Sequence, residues 1–151
     1  MKRKNILRYI VLPLLLLLGA AAIYIYKEYN RTHKDTARLK PDYSIAATDL
    51  VKEFSENEQA SNKKYWDKVI RVEGMVKELN KDEKGFYSIV LGDTNAMSSV
   101  RCSVDSAHGS GAASVQKGNI IAVKGICSGY NADEMLGSDV LLVRSVVDIK
   151  N

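Results

Sequence analysis

From Lys68 to the C-terminus apolar residues recur at every second position, and this period restricts the possible folds more than any other feature of the chain. Ile70, Val72, Gly74 and Val76 are apolar or small, while Arg71, Glu73 and Lys77 take the alternate places, as in a strand with one buried face. Phe86 to Leu91 repeats the pattern with Tyr87, Ile89 and Leu91 on one side, and Val100, Cys102 and Val104 alternate with Arg101, Ser103 and Asp105. A fourth strand is expected from Asn119 to Cys127. A fifth is expected from Val140 to Ile149, with Leu141, Val143, Val147 and Ile149 on one face. Five short strands at this spacing predict a small, mainly β barrel.

Val72-Glu73-Gly74-Met75-Val76 and Val123-Lys124-Gly125-Ile126-Cys127 place a glycine inside the first and fourth strands. Such a glycine weakens a strand unless the strand must bend or another backbone must come close, and closing a five-stranded barrel requires both. The pattern fits the Greek-key barrel called the OB-fold, in which a longer connection joins the third and fourth strands. Asp105 to Gly118 fills that place, with a flexible stretch at Ser106 to Gly111 and room for a helical turn at Ala112 to Gln116. Before the barrel, Ala47, Leu50, Val51 and Phe54 follow helical spacing, which predicts one amphipathic helix from about Ala46 to Ala60. Tyr65 and Trp66, at the junction of helix and barrel, are expected to plug one barrel end, with an exposed ligand-stacking role as the alternative.

The N-terminal part is of another kind. Residues 1–8 form a basic tail with Lys2, Arg3, Lys4 and Arg8, and residues 9–26 hold no charge at all. As a helix those eighteen residues would span about 27 Å, enough to cross a bilayer, with Tyr9, Tyr24 and Tyr26 at the interfaces. A cleavable signal peptide ending near Ala20-Ala21-Ala22 is the alternative. Residues 27–43 are polar and read as a juxtamembrane linker, leaving 44–151 for helix and barrel. Residues 1–40 hold 9 Lys/Arg and 2 Asp/Glu, a charge of +7, whereas 41–151 hold 13 and 16, a charge of −3. Pulling the short basic tail across a membrane against its potential is unfavourable, so the N-terminus is expected in the cytoplasm and the barrel outside it.

The run Asp49-Leu50-Val51-Lys52-Glu53-Phe54, then Asn57-Glu58, Ala60, Lys64-Tyr65, Lys68-Val69-Ile70 and Val72-Glu73-Gly74-Met75-Val76, resembles the start of the tRNA-anti-like family of bacterial OB-fold proteins. Cys102 and Gly125-Ile126-Cys127-Ser128-Gly129 are similar to its second half. The resemblance implies a helix followed by an OB barrel, in a family whose members are often envelope lipoproteins of no established activity. It supplies no catalytic residues. This chain departs from the lipoprotein pattern, since no cysteine precedes Cys102.

Function is less legible. On an OB-fold a ligand face is expected across the second and third strands, where Lys81, Lys84, Phe86 and Arg101 are the candidate binding residues. The −3 charge and the serines Ser98, Ser99 and Ser103 disfavour nucleic acid, which wants cations and stacking rings. Tyr87 is expected in the core. Cys102 and Cys127 fall on inward faces, as two buried thiols or as a disulfide closing a loop of about 25 residues. The intervening fifth strand opposes a bridge, which needs Cα atoms within about 7 Å. His33 and His108 are the only histidines, and no calcium loop, phosphate-cradling loop or nucleophile motif occurs, so no metal or cofactor is expected. The resulting expectation is a membrane-anchored, non-catalytic binding module for an envelope protein, peptide or glycan. A single-stranded oligonucleotide binder is the first alternative and an enzyme using Cys102, Cys127 or His108 the second.

Overall fold

The computed structural model describes residues 17–26, 35–133, 135 and 137–148. The chain divides into two units, Met1–Lys34 and Asp35–Asn151. In the first, residues 17–26 form helix α1 with exposed side chains such as Leu17, Ile23 and Tyr26. No helix of the described residues is long and apolar enough to cross a membrane. Residues 9–16 of the expected span, the basic tail 1–8, and 27–34 of the expected linker lie outside the described residues.

The second unit begins earlier than the sequence pattern suggested. Residues 35–43 are part of the folded unit and not linker. Asp35 accepts from the Ala37 N–H at 3.0 Å and caps a 3-10 turn, Thr36–Arg38, with Thr36 buried. The Lys124 ammonium donates to the carbonyls of Ala37 and Leu39 at 2.8 and 2.9 Å. Strand β1, Tyr43–Ala46, then pairs in parallel with the first half of β2, Val69–Lys81. These ties use backbone groups, which leave no trace in hydrophobic periodicity.

The expected single helix is two. Helix α2, Ala47–Glu56, buries Ala47, Leu50 and Phe54; α3, Glu58–Tyr65, follows after an extended Asn57 whose side chain accepts from the Ala60 N–H at 3.0 Å. Asparagine competes for backbone donors in this way, ending one helix and starting the next. Phe54 stacks on Tyr65 and Tyr130, with ring centroids 5.9 and 5.3 Å apart, and these rings close one end of the barrel. Trp66 does not share in this. Tyr65 is buried, whereas Trp66 is largely exposed.

The barrel is the OB-fold expected: a closed, mainly β structure of β2, β3 (Tyr87–Leu91), β4 (Ser99–Val104), β5 (Ile120–Asn131) and β6 (Asp139–Val147). β2 pairs with β5 through Val69–Met75 and with β3 through Val76–Lys81, passing from one neighbour to the other just after Gly74. β4 runs parallel to β6, which pairs antiparallel with β5 and completes the closure. Both strand glycines sit at close approaches. A Cβ on Gly74 would meet the Ala47 Cβ at 2.8 Å, and one on Gly125 the Ser145 Oγ at 2.5 Å. The connection from β4 to β5 holds a 3-10 turn at Ser106–His108 and a short α4 at Gly109–Ala113, where a flexible stretch had been expected.

The face of β6 is the reverse of the expectation over its first half. Val140 and Leu142 are buried, while Leu141 and Val143 lie half-buried on the outer side. Arg144 at φ +50 accompanies a register shift that turns Ser145 inward and packs Val147 against the core. An extra residue in a strand reverses its alternation, so a strict period of two fails across it.

Candidate functional site

The β2–β3 hairpin carries the candidate site. Its turn is set by Asp82, whose carboxylate accepts from the Phe86 N–H at 2.8 Å, and whose carbonyl accepts from Gly85 N–H at 3.0 Å. Gly85 has φ +87, a conformation that favours glycine. Phe86 is thereby left outside the strand with 47% of its surface exposed, and the Lys81 ammonium stands 5.2 Å from the Tyr87 ring centroid. That distance is within the range of a cation–ring attraction.

Behind the turn lies a groove of about 350 Å³, lined by Asn80, Lys81, Asp82, Phe86, Tyr87, Ser88, Ser103 and Val104. The register places Asn80 opposite Ser88 and Ser88 opposite Ser103, a row of three polar side chains across three strands. Of the residues expected from sequence, Lys81 and Phe86 line this groove. Lys84 is exposed in the turn beyond it. Arg101 points elsewhere and is paired, its Nε and an Nη donating to the Asp139 carboxylate at 3.2 and 2.9 Å. Tyr87, expected in the core, packs against it half-buried and also forms part of the groove wall. The row of Asn80, Ser88 and Ser103 was not foreseen, because serines were read only as missing rings.

The turn holds two cations, Lys81 and Lys84, and two anions, Asp82 and Glu83, so its formal charge is 2 − 2 = 0. A ligand meets rings, hydroxyls and one amide there, without a net field.

The remaining reactive groups are held apart. Ile89, Cys102, Leu142 and Cys127 form one rung on the inner face, so the two cysteines are two strand spacings apart, roughly 10 Å. Both are free and buried, and the expected alternative of a Cys102–Cys127 disulfide is not the arrangement found. Burial pushes the Cys102 thiol up to about 12 and raises that of Cys127 as well. At neutral pH both remain thiols, which are poor nucleophiles. His108 contacts neither. Its Nε2 lies 2.8 Å from Asp35 Oδ1, and hydrogen bonds from Ala37 and then His108 hold the Asp35 carboxyl below its ordinary value. Among the described residues no group of three His, Cys, Asp or Glu is placed to hold a metal ion.

The family model for tRNA_anti-like proteins matches residues 1–144. The chain belongs to the tRNA_anti-like family. Its match to that family includes the uncharged N-terminal stretch as well as the barrel. Among solved structures, the tRNA_anti-like chain is similar to a Klebsiella pneumoniae protein named "putative nucleic acid-binding lipoprotein", with a TM-score of 0.54 and 12% identity. That alignment covers 69% of this chain and 91% of the other. It is also similar to asparaginyl-tRNA synthetases of Pyrococcus horikoshii and Entamoeba histolytica, at TM-scores of 0.37 and 0.40 and identities of 19% and 12%. Each covers 56% of this chain, which spans only 20% and 21% of those enzymes. At these identities the likeness to the Klebsiella protein establishes the OB-fold alone. No curated protein matches the sequence.

Proposed function

We propose that this tRNA_anti-like protein is a membrane-anchored, non-catalytic binding module. Its OB barrel stands outside the cytoplasm and takes an extended polar segment, a peptide of an envelope protein, in the hairpin groove. The observation that carries this reading is the row Asn80–Ser88–Ser103 beside the exposed Phe86, in a groove whose charges cancel. Hydroxyls, an amide and a ring suit a chain of amide groups better than a polyanion, which needs uncompensated cations. The anchor rests on the uncharged residues 9–26 behind a basic tail. The non-catalytic part of the reading is supported by the burial of the Cys102 and Cys127 thiols and by His108 lying against Asp35 and not against either thiol.

The test places a photo-crosslinking residue at Phe86 in living cells, with the exposed Ser114 as control, and fuses a compartment-sensitive reporter after Asn151. A discrete protein adduct at Phe86 only, lost when Ser88→Lys and Ser103→Lys fill the groove, is the expected result. Equal adducts at both positions, or a reporter active only in the cytoplasm, would overturn it.

A second reading, a single-stranded oligonucleotide in the same groove, is favoured by the Lys81–Tyr87 contact next to Phe86, since stacking rings and cations together are what such ligands use. The name of the Klebsiella protein points the same way. Its signature is a nuclease-sensitive adduct and an affinity falling with salt, at a slope of about −0.7 per phosphate neutralised.

A further inference from the structure

The register that buries Ile89, Cys102, Leu142 and Cys127 places Val90, Arg101, Leu141 and Gly129 along one rung of the outer wall. Over the Gly129 end of that rung lies Trp66, the only tryptophan in the chain, with 58% of its surface exposed. A Cβ on Gly129 would come to 3.2 Å from the indole Cζ3, so the ring rests on bare backbone at a position where φ is +136. The next residue, Asp67, has φ +58, left-handed backbone at a non-glycine residue. The Trp66 N–H donates to the Asn62 carbonyl at 2.9 Å and the Asp67 N–H to the Cys127 carbonyl at 3.0 Å, which fixes this tip from both sides. Left-handed Asp67 closes α3 at its C-terminus, and the glycine at 129 lets the indole lie on the strand, so the ring is held at the surface and not in the core.

What the ring would meet follows from its neighbours. Leu141 lies half-buried on the strand beside Gly129, and Arg101 one strand further, roughly 10 Å from Gly129. The Arg101 guanidinium is compensated by the Asp139 carboxylate. The platform therefore offers a flat apolar face, then a neutral pair of strong donors and acceptors roughly 10 Å along the wall, about two sugar rings away. A nucleotide strand would stack on the indole beside the exposed Lys63 and Lys68, but along the rung it would meet only the compensated guanidinium of Arg101. A neutral sugar has the matching shape, with a C–H face to lie on the ring and hydroxyls at its edge for a carboxylate and a guanidinium.

We propose that Trp66 and the Arg101–Asp139 pair form a binding site for a neutral glycan, one pyranose face on the indole and the hydroxyls of the adjoining sugar bonded to the pair. The site is distinct from the hairpin groove and stands whether or not that groove is occupied. Because Trp66 is the sole tryptophan, its fluorescence reports the site directly. The full chain, kept in a non-glycoside detergent, is titrated separately with maltohexaose and chitohexaose. At least one is expected to give a saturable blue shift with a dissociation constant on the order of 1 mM, unchanged by added salt or by Phe86→Ala. Asp139→Asn should weaken binding about tenfold while the indole still reports, and Trp66→Phe should weaken it similarly as read by Arg101 and Leu141 amide shifts. Emission unmoved by both sugars overturns the proposal. So does a shift lost in Phe86→Ala, which would put the sugar in the groove, or one produced by oligothymidylate and abolished by salt.

Discussion

Replacing Gly125 by alanine tests the physical reason for glycine in β5. The new Cβ would lie 2.5 Å from the Ser145 Oγ and 3.0 Å from the Leu142 Cβ, both buried inside the barrel. The first contact is about 1 Å closer than atoms can pack, and it falls on a short side chain of β6, so β5 and β6 must move apart. Overpacking of this kind costs about 1–3 kcal/mol. Against it stands a gain of about 0.4–1 kcal/mol from a less flexible unfolded chain, because Gly125 has no positive φ to forbid alanine. The net expectation is a loss of about 1–2 kcal/mol, which lowers the urea midpoint by roughly 1 M. In a Ser145→Ala background the closest contact disappears and the Ser145 Cβ stands at an ordinary 3.4 Å, so the cost should fall by about 0.5–1 kcal/mol. Gly111→Ala in α4, with its nearest neighbour 3.9 Å away, serves as a control and should be neutral or slightly stabilising. Urea unfolding followed by circular dichroism measures all five proteins, the parent and the Ser145→Ala single variant included. A Gly125→Ala midpoint within about 0.2 M of the parent, or an unchanged cost in the Ser145→Ala background, would refute the close-approach explanation.

Two further outcomes are expected. Glu53 accepts from the Lys64 ammonium and the Tyr65 hydroxyl, both at 2.9 Å, and the Lys64 bond foremost holds its carboxyl below the ordinary value. A carboxyl depressed on folding adds stability that is present above its unfolded value, near 4.5, and is lost as pH falls through the folded one. The stability difference between the parent and Glu53→Gln should accordingly be constant near neutrality and shrink only below about pH 4.5, as read by urea midpoints across pH. Cys102 and Cys127 should resist alkylation at neutral pH in the native protein and react on unfolding, and a reductant should leave the urea midpoint unchanged. Rapid native alkylation or a midpoint lowered by reductant would contradict the buried free thiols.

The strands were legible because each buries one face, so that Ile70, Val72 and Val76, or Val100, Cys102 and Val104, fall at every second place. Gly74 and Gly125 stood out for the same reason, as interruptions of a pattern that tolerates few. Lys81 and Phe86 could be placed at the groove once the hairpin was recognised. The strap from Asp35 to Ala46 was illegible because Lys124, Asp42 and β2 hold it through backbone groups shared by every residue. The reversal in β6 was hidden as well, since Arg144 gives no sign in sequence that it takes φ +50. Trp66 was expected to plug the barrel end from its place at the helix–barrel junction, and the exposed alternative is what the structure shows. Its exposure depends on Gly129, sixty-three residues away, and no local pattern connects the two.

The pairing of charges over the barrel bears on what it can recognise. Arg71 is engaged by Asp148 and Glu73, Arg101 by Asp139 and Lys64 by Glu53, while Lys77 and Lys124 donate to carbonyls of their own chain. Lys81 and Lys84 share their turn with Asp82 and Glu83. Lys63, Lys68 and Lys117 are exposed outside these pairs, but the folded unit from residue 35 to 151 holds 15 Lys/Arg against 17 Asp/Glu, a charge of −2, which disfavours a polyanion. Residues 1–34 hold 7 Lys/Arg and 1 Asp/Glu, a charge of +6, and in the anchored reading they flank a bilayer whose cytoplasmic surface is anionic. Long-range electrostatics therefore belongs to the tail. In the proposed reading the barrel recognises its ligand through short-range contacts of rings, hydroxyls and amides, and added salt should scarcely weaken the binding.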